Sequence, residues 1–222
     1  MTADSRADDL LSGLNPRQRE AVVHTGSPLL IVAGAGSGKT TVLTRRIAYA
    51  LATGRAHPGE VLAITFTNKA AKEMAERVSA IVGPASRAMW VSTFHSACVR
   101  ILRREAIKVG MKSSFSIYDA ADSQRLMAMV LRDLDLDPKR YPPRSFSAQV
   151  SNLKNELVDE ESFAPATAPE KVLAEAYTLY QRRLREEHAM DFDDLIMRTV
   201  GLLQDHPGVA EYYRRRFRHV LV

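Results

Sequence analysis

Residues Ile31 to Thr40 read IVAGAGSGKT, an apolar stretch followed by three glycines in five residues and then Lys-Thr. Loops of this composition hold phosphate. Their glycines let backbone amides approach the oxygens, and the N-terminus of the next helix adds partial positive charge. In the P-loop pattern G-x-x-x-x-G-K-[ST], the lysine reaches the β- and γ-phosphates and the hydroxyl ligates magnesium. Here Ala33 stands in the first position, Gly34, Ala35, Gly36, Ser37 and Gly38 follow, and Lys39, Thr40 and Thr41 come next. The expected cofactors are therefore ATP and Mg2+, with Lys39 and Thr40 as the catalytic pair and Thr40 as the metal ligand. A loop that drives hydrolysis also needs an acid to orient water, and none stands within this stretch.

Three polar clusters accompany the loop. In LNPRQREAV, Gln18 lies three residues after Asn15. It can close a capping box on the Asn15 amide, or its amide can pair with the N6 and N7 edge of adenine. In ITFTNKAAKEM, Thr65, Thr67 and Asn68 surround Phe66. Polar groups for phosphate beside an aromatic face suit a single-stranded nucleic acid, whereas a helix cap with Phe66 in the core is the plain alternative. In VSTFHSAC, Thr93, His95 and Ser96 surround Phe94. The His-Ser pair has no evident carboxylate partner for nucleophilic catalysis, which leaves helix capping or contact with a phosphate backbone.

Leu29 to Val32, Val61 to Phe66 and Ala88 to Ser92 read as short strands, each followed by a helix. Repeated strand-helix units predict a parallel sheet with crossover helices, whose carboxyl edge carries the ligand site. After about residue 113 the pattern turns helical, interrupted at Pro142-Pro143 and near Pro165 and Pro169. Lys139, Arg140, Arg144 and Lys154 near the first break form a candidate basic face for duplex DNA. Asp191 then caps a helix through Leu203, and FRHVLV at the end reads as a further strand.

Composition bounds these readings. Of 222 residues, 45% are hydrophobic, which suits a packed core, and the net charge of +5 with a pI near 9.4 favours a polyanionic partner. The single cysteine, Cys98, excludes an internal disulfide and points to a reducing, cytoplasmic setting. No apolar run has the length of a membrane span. The acidic first residues, MTADSRADDLLSG, read as a flexible tail over 1–13.

Taken in order, these stretches resemble the superfamily 1A DNA helicases of the UvrD/PcrA/Rep type. LNPRQREAV looks like the family's Q motif, AGAGSGKT its motif I, ITFTNKAAKEM its motif Ia, VSTFHS its motif Ib and DFDDLI its motif Id. The resemblance implies an α/β RecA-like P-loop NTPase sheet, subdomain 1A, over 14–113 and 191–222, with an all-helical subdomain 1B inserted over 114–190. It implies that Gln18 contacts adenine, that Ala33 to Thr41 bind ATP, and that Thr65, Phe66, Thr67, Asn68, Thr93, Phe94, His95 and Ser96 line a track for single-stranded DNA and duplex junctions. The family moves 3′ to 5′ along one strand, in repair settings among others. Its acidic DExx motif and second RecA-like half are expected beyond Val222, so residues 1–222 alone are expected to be inactive. Two alternatives remain: a non-catalytic nucleotide- and DNA-binding module, or another P-loop enzyme such as a nucleotide kinase, for which Asp119 in FSIYD is the best acid.

Overall fold

The computed structural model describes residues 3–34 and 36–222; the expected phosphate-loop residue Ala35 lies outside them. In chain order the elements are α1 (Ala3–Leu11), α2 (Pro16–Val23), α3 (Lys39–Ala52), β1 (Val61–Thr65), α4 (Asn68–Val82), β2 (Trp90–Thr93), α5 (Phe94–Arg104), β3 (Ser116–Tyr118), α6 (Ala120–Asp133), α7 (Pro143–Asn155), α8 (Ala168–Glu186), β4 (Ala189–Asp191), α9 (Phe192–Asp205), α10 (Pro207–Arg216) and β5 (His219–Leu221). The chain is mixed α/β, mostly helical, and divides into two compact units, residues 1–97 with 210–222 and residues 98–209. The expected helical insertion over 114–190 falls within the second unit.

The first unit is built on a parallel sheet in the order β2–β1–β5, with Leu62 opposite Trp90 and Val220, and Thr65 opposite Thr93. The run from Val61 to Ile64 is apolar, as suits a central parallel strand covered on both faces. Ile47 of α3 and Met74 and Val78 of α4 meet Val61 and Ala63 in one buried cluster. On α4 these positions follow helical spacing, and Thr67 starts the helix by accepting a hydrogen bond from the Ala70 amide at 3.1 Å. The Trp90 ring lies against Phe217 at 4.8 Å between centroids.

Two expectations for this unit fail locally. Leu29 to Val32 form no strand; Leu30 and Val32 are 86% and 88% exposed. Leu29, Leu30 and Ile31 instead line a cleft of about 750 Å3 together with Val220 and Leu221 of β5. A strand this short is held by ladder bonds and by cover on its faces, and neither has formed across the cleft. The supposed tail contains helix α1 rather than loose chain: Ala7 is buried, and Arg45 donates to the carbonyls of Leu10, at 3.0 Å, and Ser12. Those carbonyls at a helix C-terminus attract a cation.

The second unit packs α6, α7 and α8 around Leu126, Met127, Val130, Leu131, Phe146, Val150 and Tyr177. Its two strands, β3 and β4, pair in parallel, with Tyr118 opposite Asp191. Of the four basic residues expected on one surface, Lys139, Arg140 and Arg144 are exposed, but Lys154 is fully buried. Its ammonium lies 2.6 Å from Asp191 and 3.0 Å from Asp194, so it cannot meet DNA.

Candidate nucleotide and single-strand site

The phosphate loop runs into α3 through Gly36 and Gly38, whose φ angles of 74° and 82° fall where only glycine is unstrained. Gly38 caps α3 without a side-chain partner, which leaves the first helical amides to an anion. Lys39 folds back on the loop and donates to the carbonyls of Ala33 and Gly34, both at 2.7 Å. Ser37 donates to Gly34 at 2.7 Å. Lys39 thus cross-braces the loop, and a phosphate must draw its ammonium away from two carbonyls. Thr40 and Thr41 are exposed on the first turn.

Gln18 closes the capping box: its Oε1 accepts from the Asn15 backbone N–H at 3.1 Å, while its own backbone N–H donates to Asn15 Oδ1 at 2.9 Å. Its Nε2 also donates to the Ser37 carbonyl at 3.1 Å. The side chain therefore joins α2 to the phosphate loop, a bond across 19 residues that local spacing does not reveal. A Cβ on Gly38 would stand 3.0 Å from the same Nε2, a contact to which the end of the Gln18 side chain would have to yield.

The two strand-end clusters are neighbours because β1 and β2 are paired through Thr65 and Thr93. Phe66 is 83% exposed, so it is no core residue, and its ring meets Phe94 at 5.4 Å between centroids. Around this aromatic pair the polar groups differ in availability. Thr93 is buried, donates to Ser96 Oγ at 2.9 Å and accepts from the Ser96 amide at 3.2 Å, which starts α5. Thr65 donates to the Thr67 carbonyl at 3.1 Å. Asn68 and Ser96 are exposed and His95 is half-buried. Capping and exposure thus occur in the same clusters, on different side chains.

The cleft beside Lys39 is lined by Arg46, Arg55 and Arg218 and, among the described residues, by no carboxylate. Arg46 donates to the Ala21 carbonyl at 2.6 Å, and burial lowers the pKa of its guanidinium. The alternative acid is also accounted for: Asp119 accepts from the Asp122 amide at 2.8 Å and caps α6.

A sequence profile of the UvrD/REP helicase N-terminal domain matches residues 14–222. The chain belongs to that family. It is 63% identical, over 98% of its length, to the ATP-dependent DNA helicase UvrD1 of Mycobacterium tuberculosis. It is 49% identical, over 97% of its length, to the ATP-dependent DNA helicase PcrA of Bacillus subtilis. It spans 29% and 30% of those two proteins. For this helicase N-terminal domain, the matched region begins after α1, so the Arg45 anchor joins a segment outside the match to the phosphate-loop helix. Among the described residues, no helix is long and apolar enough to cross a membrane.

Proposed function

We propose that this chain is the ATP-binding portion of an ATP-dependent 3′-5′ DNA helicase or translocase that acts on single-stranded DNA in the cytoplasm, in DNA repair. The observation that carries the proposal is the placement of an aromatic pair, the exposed Phe66 and the half-buried Phe94, at the carboxyl edge of the sheet in the unit that also holds the phosphate loop. In this reading the first unit is RecA-like, and its parallel sheet carries the site at the carboxyl edge.

The nucleotide would be held as follows. The first amides of α3 take the phosphate oxygens, and Lys39 moves from the Ala33 and Gly34 carbonyls to the β- and γ-phosphates. Gln18 turns its amide toward adenine. The exposed Thr40 hydroxyl fits a magnesium ion bound largely through phosphates and waters, a form of binding that needs few protein oxygens. Bound magnesium would supply charge neutralisation across those phosphates. Bases stack on Phe66 and Phe94, while Asn68, His95 and Ser96 face the sugar-phosphate backbone.

Phe66→Ala tests the track. Because the ring is exposed, the substitution should leave the urea midpoint nearly unchanged and weaken single-strand binding by ~1–3 kcal/mol. Unaltered affinity for an oligonucleotide would remove Phe66 from the site. A duplex junction is assigned to the second unit through Lys139, Arg140 and Arg144. Neutralising these three should flatten the salt dependence of junction binding but not of single-strand binding, because fewer counterions are released. Equal slopes before and after the change would argue for a plain solvated face.

A further inference from the structure

The DFDDLI segment carries three carboxylates within one helical turn, yet it lies in the second unit and takes no part in the nucleotide site described above. Two of the three, Asp191 and Asp194, are buried together with Lys154 of α7, whose side chain has 0% exposure. An ammonium has three hydrogens, and here it donates to Gln181 Oε1 at 2.7 Å and Asp191 Oδ2 at 2.6 Å and forms an ion pair with Asp194 Oδ1 at 3.0 Å. The carboxylates are equally occupied. Tyr180 donates to Asp191 Oδ2 at 2.9 Å, and Gln181 Nε2 donates to Asp194 Oδ1 at 3.1 Å. The two remaining oxygens close a capping box: the Asp194 amide donates to Asp191 Oδ1 at 2.8 Å and the Asp191 amide to Asp194 Oδ2 at 3.2 Å. The rings of Tyr180 and Tyr177 lie 5.1 and 5.9 Å from the ammonium.

We infer that Lys154, Asp191 and Asp194 form a buried ionic lock that fixes α7, α8 and α9 in one register, and that the DFDDLI carboxylates serve this lock rather than metal or DNA. Each helix contributes a group that the others satisfy: Lys154 from α7, Tyr180 and Gln181 from α8, Asp194 from α9, with Asp191 at the end of β4. A metal ion placed on the two carboxylates would have to compete for oxygens that already have donors, and would displace an ammonium with nowhere to go. Burial raises the pKa of Asp194, and Lys154 and, more weakly, Arg198 of α9 oppose that rise. Such a lock does not have to add net stability over an apolar core. Its mark is the large penalty for removing one partner alone.

The test compares Lys154→Met with a triple variant, Lys154→Met, Asp191→Asn and Asp194→Asn, by amide hydrogen exchange across α7, α8 and α9. The methionine keeps the volume and strands two buried carboxylates, so exchange should accelerate ~10²–10³-fold. The triple variant removes the stranded charge and keeps an asparagine cap, and should return to within about tenfold of the parent. If the single variant fails to fold, recovery in the triple variant alone supports the lock. Parent-like exchange in Lys154→Met overturns it, and so does a triple variant as unprotected as the single one. A well-folded triple variant that has lost single-strand affinity would overturn the second half of the inference by placing these carboxylates in DNA binding.

Discussion

In a chain extended to the full length of its relatives, Lys39→Ala should lower DNA-stimulated ATP hydrolysis by at least ~10²–10³-fold, the usual loss when one preorganised group that meets developing charge is removed. The expectation follows from what Lys39 does in this structure. Its ammonium sits at the mouth of α3, bonded to two loop carbonyls at 2.7 Å, and those are weak partners compared with a triphosphate. Without it, the helix amides still meet the anion, but the charge on the transferring phosphoryl group has no point countercharge from the loop. The loop also loses its brace, so nucleotide affinity should fall together with turnover. Single-strand binding in the absence of nucleotide should be unchanged, because Phe66 and Phe94 form their pair without the loop. Steady-state hydrolysis and an oligonucleotide titration on the same variant check both halves. Near-normal turnover would remove Lys39 from the reaction.

Which features were legible in the sequence depended on how local their causes are. The caps at Asn15 and Asp191 each join residues three apart, and each formed where the residue types placed it. The strand Val61–Thr65 was legible because its apolar run is complete in itself. Leu29 to Val32 carry an equally apolar run but form no strand, because a strand is made by its neighbours and this one's neighbour is separated from it by a cleft. Lys154 was misread for the same reason. A lysine on a polar-looking helix reads as solvated, and its partner Asp191 is 37 residues away. The signal for α1 was present in Ala7, Leu10 and Leu11, which share a helical face, but the acidic residues between them suggested loose chain. For the candidate site, the composition of ITFTNKAAKEM left Phe66 equally suited to core and track. Its exposure excludes the core.

The second large effect concerns the acid that in-line attack requires. The candidate carboxylates are all engaged elsewhere: Asp119 caps α6, Asp191 and Asp194 hold Lys154, and the residues lining the cleft beside Lys39 include none among those described. The relatives are more than three times as long as the span they share with this chain, which covers 29% of UvrD1 and 30% of PcrA. We therefore expect residues 1–222 to bind Mg-ATP weakly and to turn it over at no more than background, with or without DNA. A chain of the relatives' full length should hydrolyse ATP at least ~10³-fold faster, the lower end of what one added charge-stabilising residue contributes to phosphoryl transfer. The decisive measurement is the steady-state ATPase rate of the two chains side by side, with and without a single-stranded oligonucleotide. The account predicts background turnover from residues 1–222 in both conditions and strong stimulation by the oligonucleotide in the extended chain. Hydrolysis by residues 1–222 near the extended chain's rate, or an extended chain indifferent to DNA, would contradict it.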